Sequence, residues 1–141
     1  MAKASFYQHF SSKEELCVSF LNQRHTYWFD ELKKYTSSFK TTRTRVIGSF
    51  DFLIAMNKKE NFRGCSFLNI LSEISSDNKK ILSVIQEHKR DLSNYFKNIL
   101  EEHLLADHDY LLFESSILES QLFRSNRYID QSKKIIKQLL S

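Results

Sequence analysis

The chain has no proline and only two glycines, Gly48 and Gly64, in 141 residues. Strand-and-turn architectures draw on both residues at their turns, so this scarcity predicts an all-α fold with polar connections. No apolar run approaches the roughly 18 residues of a membrane span. No basic segment precedes a short apolar stretch, as a secretory leader requires. A membrane partner is therefore not expected, and nothing in the sequence places the protein outside the cytoplasm. The two cysteines, Cys17 and Cys65, are isolated, with no C-x-x-C pair and no histidines at zinc-ligand spacing. They read as small buried hydrophobes or as a redox switch. Glycine-rich phosphate loops, a Ser-His-Asp order and paired catalytic carboxylates are all missing. His103, Asp107, His108 and Asp109 cluster, but His103 and His108 are five apart across a helix break, so a solvated turn is expected there. The expectation is a protein that is not an enzyme and needs no cofactor or metal.

What is present begins with charge. Residues 1–45 carry eight basic and four acidic side chains, whereas the remainder carries thirteen of each. The whole formal excess of +4 thus lies in the first third. An anionic partner at that end or a merely solvated face would both produce it. The length suits one domain.

Hydrophobic periodicity predicts seven helices. A short one ends near Phe10. Ser12-x-x-Glu15 is a capping-box signal that starts the next, about Lys13 to Tyr35, with Cys17, Leu21, Trp28, Leu32 and Tyr35 on one stripe. The third runs from about Thr44 to Asn57 and the fourth from about Gly64 to Ser75. The fifth, capped by Ser75, Ser76 or Asp77, extends from about Asn78 to Leu104 with Ile81, Ile85, His88, Leu92, Tyr95, Ile99 and His103 in a 4-3-4-3 rhythm. Asp107 is expected to cap the sixth, about His108 to Arg124. The last spans about Tyr128 to Leu140. Leu111, Leu118 and Leu122 form a stripe on the sixth helix, and Ile129, Ile136 and Leu139 form one on the seventh. Neither helix has a later partner in the chain, so pairing both across a twofold axis predicts a homodimer closed by a four-helix bundle.

His88 lies on the apolar seam of the longest helix, and Asn69 and Glu73 stand four apart on the helix before it. Buried polar groups need partners. His88 and Glu73 could form a structural pair within a filled core. Alternatively, Asn69, Glu73 and His88 could be polar contacts of an apolar cavity walled by Phe50, Ile54, Phe67, Ile70 and Leu92. That cavity would take a small apolar or amphipathic effector.

The stretch KASFYQHFSSKEEL, residues 3–16, resembles the end of the helix-turn-helix in the tetracycline-repressor (TetR) family of bacterial transcription regulators. Lys3, Phe6, Tyr7, His9, Phe10, Lys13 and Leu16 match that pattern in one register, with Ala4 in place of the usual glycine. FRGCSFLNILSEI, residues 62–74, and the step His88-Lys89 resemble the regulatory domain of one branch of that family. The last two helices resemble its dimerisation pair in pattern only, since Ser115 and Ser116 stand where small residues are usual. The resemblance implies a TetR-like helical bundle, with residues 1–12 as the remnant of a DNA-binding domain and 13–141 as a ligand-binding and dimerisation domain. Tyr7, His9 and Lys13 would hold DNA phosphates. Lys3 and Ser5 would face the major groove, with Gln8 beside them. The implied function is a ligand-responsive regulator whose intact parent binds operator DNA. Two helices expected before residue 1 are absent from the sequence, so this chain is expected not to bind DNA specifically. A helical small-molecule-binding module, or a dominant-negative dimerisation partner that never touches DNA, is the alternative.

Overall fold

The computed structural model describes residues 12–140. The first expected helix, with Lys3, Ser5, Tyr7, Gln8 and His9, lies outside them. Six α-helices follow one another: α1 (Lys13–Thr36), α2 (Thr42–Glu60), α3 (Ser66–Leu71), α4 (Lys79–Ile99), α5 (His103–Phe123) and α6 (Arg127–Leu139). The described secondary structure is wholly helical.

Local chemistry explains several of the helix boundaries. The Ser12 hydroxyl accepts from the Glu15 amide at 3.1 Å and starts α1. Glu14 and Glu15 in its first turn and Lys33 and Lys34 in its last complement the helix dipole. A Thr41–Thr44 capping box starts α2, which continues past Asn57 to Glu60 before Asn61 turns left-handed. The Asn78 side chain caps α4 by accepting from the Ile81 amide, so the cap falls one residue beyond the three expected. The expected long fifth helix stops at Ile99, and α5 begins at His103 rather than at His108. His103 therefore leaves the seam, and Asp109, expected in a solvated turn, is fully buried on α5. The expected fourth helix shortens to six residues. It is preceded by Gly64 at φ +78°, where a Cβ would run into the Gln121 side chain.

Two apolar clusters hold the bundle. The larger joins α1, α2, α4, α5 and α6 around Phe50, Phe96 and Phe113. Phe113 meets Phe50 edge-on at 5.5 Å and Phe96 at 5.1 Å between ring centroids. Ile129 and Ile136 are completely buried in this cluster. This removes Ile129 and Ile136 from the expected α6 dimer stripe and leaves Leu139, because a side chain enclosed within its own chain has no area left for a partner. The smaller cluster packs Leu21, Phe67, Ile81 and Ile85 between α1, α3 and α4. Cys17 lies against it, while Cys65 touches both clusters, and both thiols are free. Among the described residues, no helix is long and apolar enough to cross a membrane.

Candidate functional site

The two clusters do not close completely where α1, α2, α4 and α5 meet the short α3. An interior cavity of about 30 Å³ remains, with Trp28, Leu53, Met56, Phe67, Leu92 and Ile117 among its apolar walls. Polar side chains also reach it. Arg24 on α1 donates to Glu60 on α2 through two bonds, at 2.6 and 2.5 Å. Lys89 on α4 donates to both carboxylate oxygens of Glu114 on α5 at 2.8 Å, and to Cys65 Sγ at 3.3 Å. Burial works against the Lys89 ammonium, but Cys65 and Glu114 more than offset it and hold its pKa above the usual lysine value. The Ser66 hydroxyl, also in the wall, is buried and has no hydrogen-bond partner.

His88 is the hinge of this site. Its ring stacks on Phe67 with 3.6 Å between centroids and 6° between planes. Its Nδ1 lies 2.9 Å from His25 Nδ1, and His25 Nε2 lies 3.3 Å from Asp91 Oδ2. Burial, reinforced by Lys89, His25 and Arg24, pushes the His88 pKa down to about 3, so the imidazole is neutral. Phe67 and His88 also line an outer cleft of about 190 Å³ with Asn22, Ser83, Val84 and Glu87. The stacked pair is thus a shared wall between the cavity and the surface.

Of the expected cavity residues, Phe67, His88 and Leu92 come together. The others do not join that lining. Phe50 is filled core, Ile54 packs on the same cluster, and Ile70 belongs to the smaller one. Asn69 accepts from Gln121 at 3.0 Å and donates to the Arg63 carbonyl at 3.2 Å, which makes it a tie between α3 and α5. Glu73 is exposed in the turn after α3, so the expected Glu73–His88 pair gives way to His25–His88. Arg24, Glu60 and Glu114 had no sequence signal, because the pairings Arg24–Glu60 and Lys89–Glu114 span 36 and 25 residues; Lys89 stood out only in the His88-Lys89 step. Of the expected DNA contacts only Lys13 is described, exposed at the start of α1. Leu111, Leu118, Leu122 and Leu139 are exposed, as are Phe123 and Ile135 beside them. Among the described residues, no group of three or more His, Cys, Asp or Glu side chains is placed to hold a metal ion.

No protein-family model matches the chain, and no curated protein matches it in sequence. Solved structures do match. SCO4454, a TetR-family transcriptional regulator from Streptomyces coelicolor, superposes with a TM-score of 0.88 at 18% identity, over 99% of this chain and 77% of that one. The reduced form of NemR from E. coli superposes with a TM-score of 0.80 at 20% identity, over 98% of this chain and 79% of that one. The chain has the fold of a TetR-family transcriptional regulator.

Proposed function

We propose that this chain is the ligand-binding and dimerisation part of a TetR-type, ligand-responsive transcriptional regulator acting in the cytoplasm. The observation that carries this reading is the fold itself, which leaves a small, partly open cavity of about 30 Å³ where four long helices meet α3. Cavities between the helices of a bundle are common ligand sites. Its walls include Arg24 and Trp28 of α1, the helix that follows in sequence the segment resembling a helix-turn-helix. The exposed leucines of α5, with Ile135 and Leu139 of α6, support assembly into a homodimer. Operator DNA is the partner of an intact parent protein.

The 141-residue chain taken by itself does not read an operator. Its segment 1–12 resembles only the end of a helix-turn-helix, one part of the unit that reads a major groove. Lys13 and its basic neighbours then supply salt-dependent attraction without sequence readout. A fluorescence-anisotropy titration near physiological salt tests this, using DNA from the region upstream of the gene and a scrambled control. Equal, weak binding to both is expected. Nanomolar binding selective for the upstream DNA would overturn the deficiency. Failure to bind selectively after two helices of TetR type are added ahead of residue 1 would count against the regulator reading itself.

A further inference from the structure

The cavity wall carries two shielded cations, and each already owns a carboxylate. Arg24 is paired with Glu60 and Lys89 with Glu114, all four side chains being at least four-fifths buried. His88 is neutral. Arg63, at the edge, is exposed to solvent with its guanidinium over the Phe20 ring. The interior is therefore electrically balanced. A charged ligand held inside, away from Arg63 at the edge, would be desolvated with no free counter-charge, or would have to strip a glutamate from its cation and leave that glutamate buried and unpaired. One neutral group does remain unpartnered, the Ser66 hydroxyl. The other surfaces offered to a ligand are largely aromatic and aliphatic.

We propose that this cavity takes an uncharged ligand, a compact aromatic or aliphatic body with one hydroxyl or carbonyl group that pairs with Ser66. The inference rests on the ligand-responsive reading above and names the chemistry of its ligand. Buried hydroxyls without partners are uncommon and costly, and a ligand oxygen satisfies this one. A cavity of about 30 Å³ holds one or two waters. A benzene-sized body needs ~150 Å³. Binding therefore displaces part of the wall. The yielding parts are Met56, with its flexible side chain, and α3, a helix of only six residues. Ligand entry is thereby linked to a shift of the helices that pack on them.

Trp28 is the only tryptophan and stands in the cavity wall, so its fluorescence reports occupancy. The test titrates the 141-residue protein with benzyl alcohol, benzoate, benzylamine and toluene, four bodies of similar size that differ in charge and in the hydroxyl. Benzyl alcohol should bind at least tenfold more tightly than benzoate or benzylamine. Ser66→Ala should weaken benzyl alcohol roughly fivefold, the worth of one hydrogen bond, and leave toluene unchanged. Benzoate or benzylamine matching benzyl alcohol would overturn the neutral-ligand inference and leave the cavity reading standing. An unchanged benzyl alcohol affinity in Ser66→Ala would remove Ser66 as its anchor. No response to any of the four would overturn the cavity reading and the inference with it.

Discussion

The imidazole of His88 lies flat on the ring of Phe67, 3.6 Å away and within 6° of parallel. This contact needs a neutral imidazole, because a buried imidazolium would meet Lys89 and Arg24 with no acid of its own. The folded pKa of about 3 lies below the ordinary histidine value of 6.5, so the unfolded chain binds the proton first as the medium is acidified. The stabilisation is complete above pH 6.5 and is lost as pH falls from there toward 3. The slope is at most about 1.4 kcal/mol per pH unit. His88→Phe keeps a stacked ring and abolishes this part of the acid sensitivity. Chemical denaturation followed by circular dichroism between pH 4 and 8 checks it; an unchanged acid limb in the variant would count against the assignment.

Asp109 tilts the profile the other way. Both of its carboxylate oxygens are buried without hydrogen-bond partners, and burial pushes its pKa up to about 8. Here the folded state holds the proton longer than the unfolded chain. Stability therefore falls as pH rises from about 4 to about 8, again by at most about 1.4 kcal/mol per pH unit. Between pH 4 and 6.5 the two residues oppose each other, and above 6.5 the aspartate acts alone. Asp109→Asn removes the titration and should overtake the wild type as pH rises. Melting temperatures measured at pH 6, 7, 8 and 9 decide this; parallel curves for the two proteins would sink it.

Leu111, Leu118 and Leu122 are at least half exposed, whereas Ile129 and Ile136 are enclosed. Substitutions on the two sets should therefore fail in different ways. Leu118→Glu should give a folded monomer, because it places a charge in the proposed interface without touching the core. Ile136→Ala should cost ~2–5 kcal/mol of stability through the cavity it leaves, with the assembly state set only by how much protein remains folded. Sedimentation velocity beside denaturant titration separates the outcomes. A wild-type chain that sediments as a monomer at micromolar concentration would defeat the dimer proposal.

The contrast between those leucines and isoleucines shows where sequence pattern stops. Periodicity placed Ile129 and Ile136 on one face of α6 correctly, but a period does not say whether that face meets the chain's own core or a partner. The α4 seam was legible in Ile81, Ile85, His88, Leu92 and Ile99, which repeat at helical spacing and are buried, whereas Tyr95 is only half-buried beside the buried Phe96 and His103 falls outside the helix. The start of α1 was legible because Ser12 carries the cap in its own side chain, whose hydroxyl accepts from the Glu15 amide. The site was harder to read. Long charged side chains on a helix ordinarily face water, so Arg24, Glu60, Lys89 and Glu114 look like solvated surface until the fold brings them together. His88 was recognisable as a polar intruder on an apolar face. Its partner, His25, lies 63 residues away on another helix, and nothing local announced it.

Lys89 and Glu114 meet through two bonds of 2.8 Å, with side chains 14% and 17% exposed. Lys89→Met should cost ~3–5 kcal/mol, because most of the loss is the carboxylate left buried and alone rather than the attraction forgone. Following Lys89→Met with Glu114→Gln should recover much of that cost, since the remaining amide is neutral. The two effects are then strongly non-additive. The four proteins of this double-mutant cycle are compared by urea denaturation at pH 7. Near-additive losses would mean that the pair behaves as two solvated charges, and the balanced interior inferred for the cavity would lose one of its two supports. A double variant close to wild type, alongside a badly destabilised Lys89→Met, would establish the pair as the reason a lysine can stand inside this bundle.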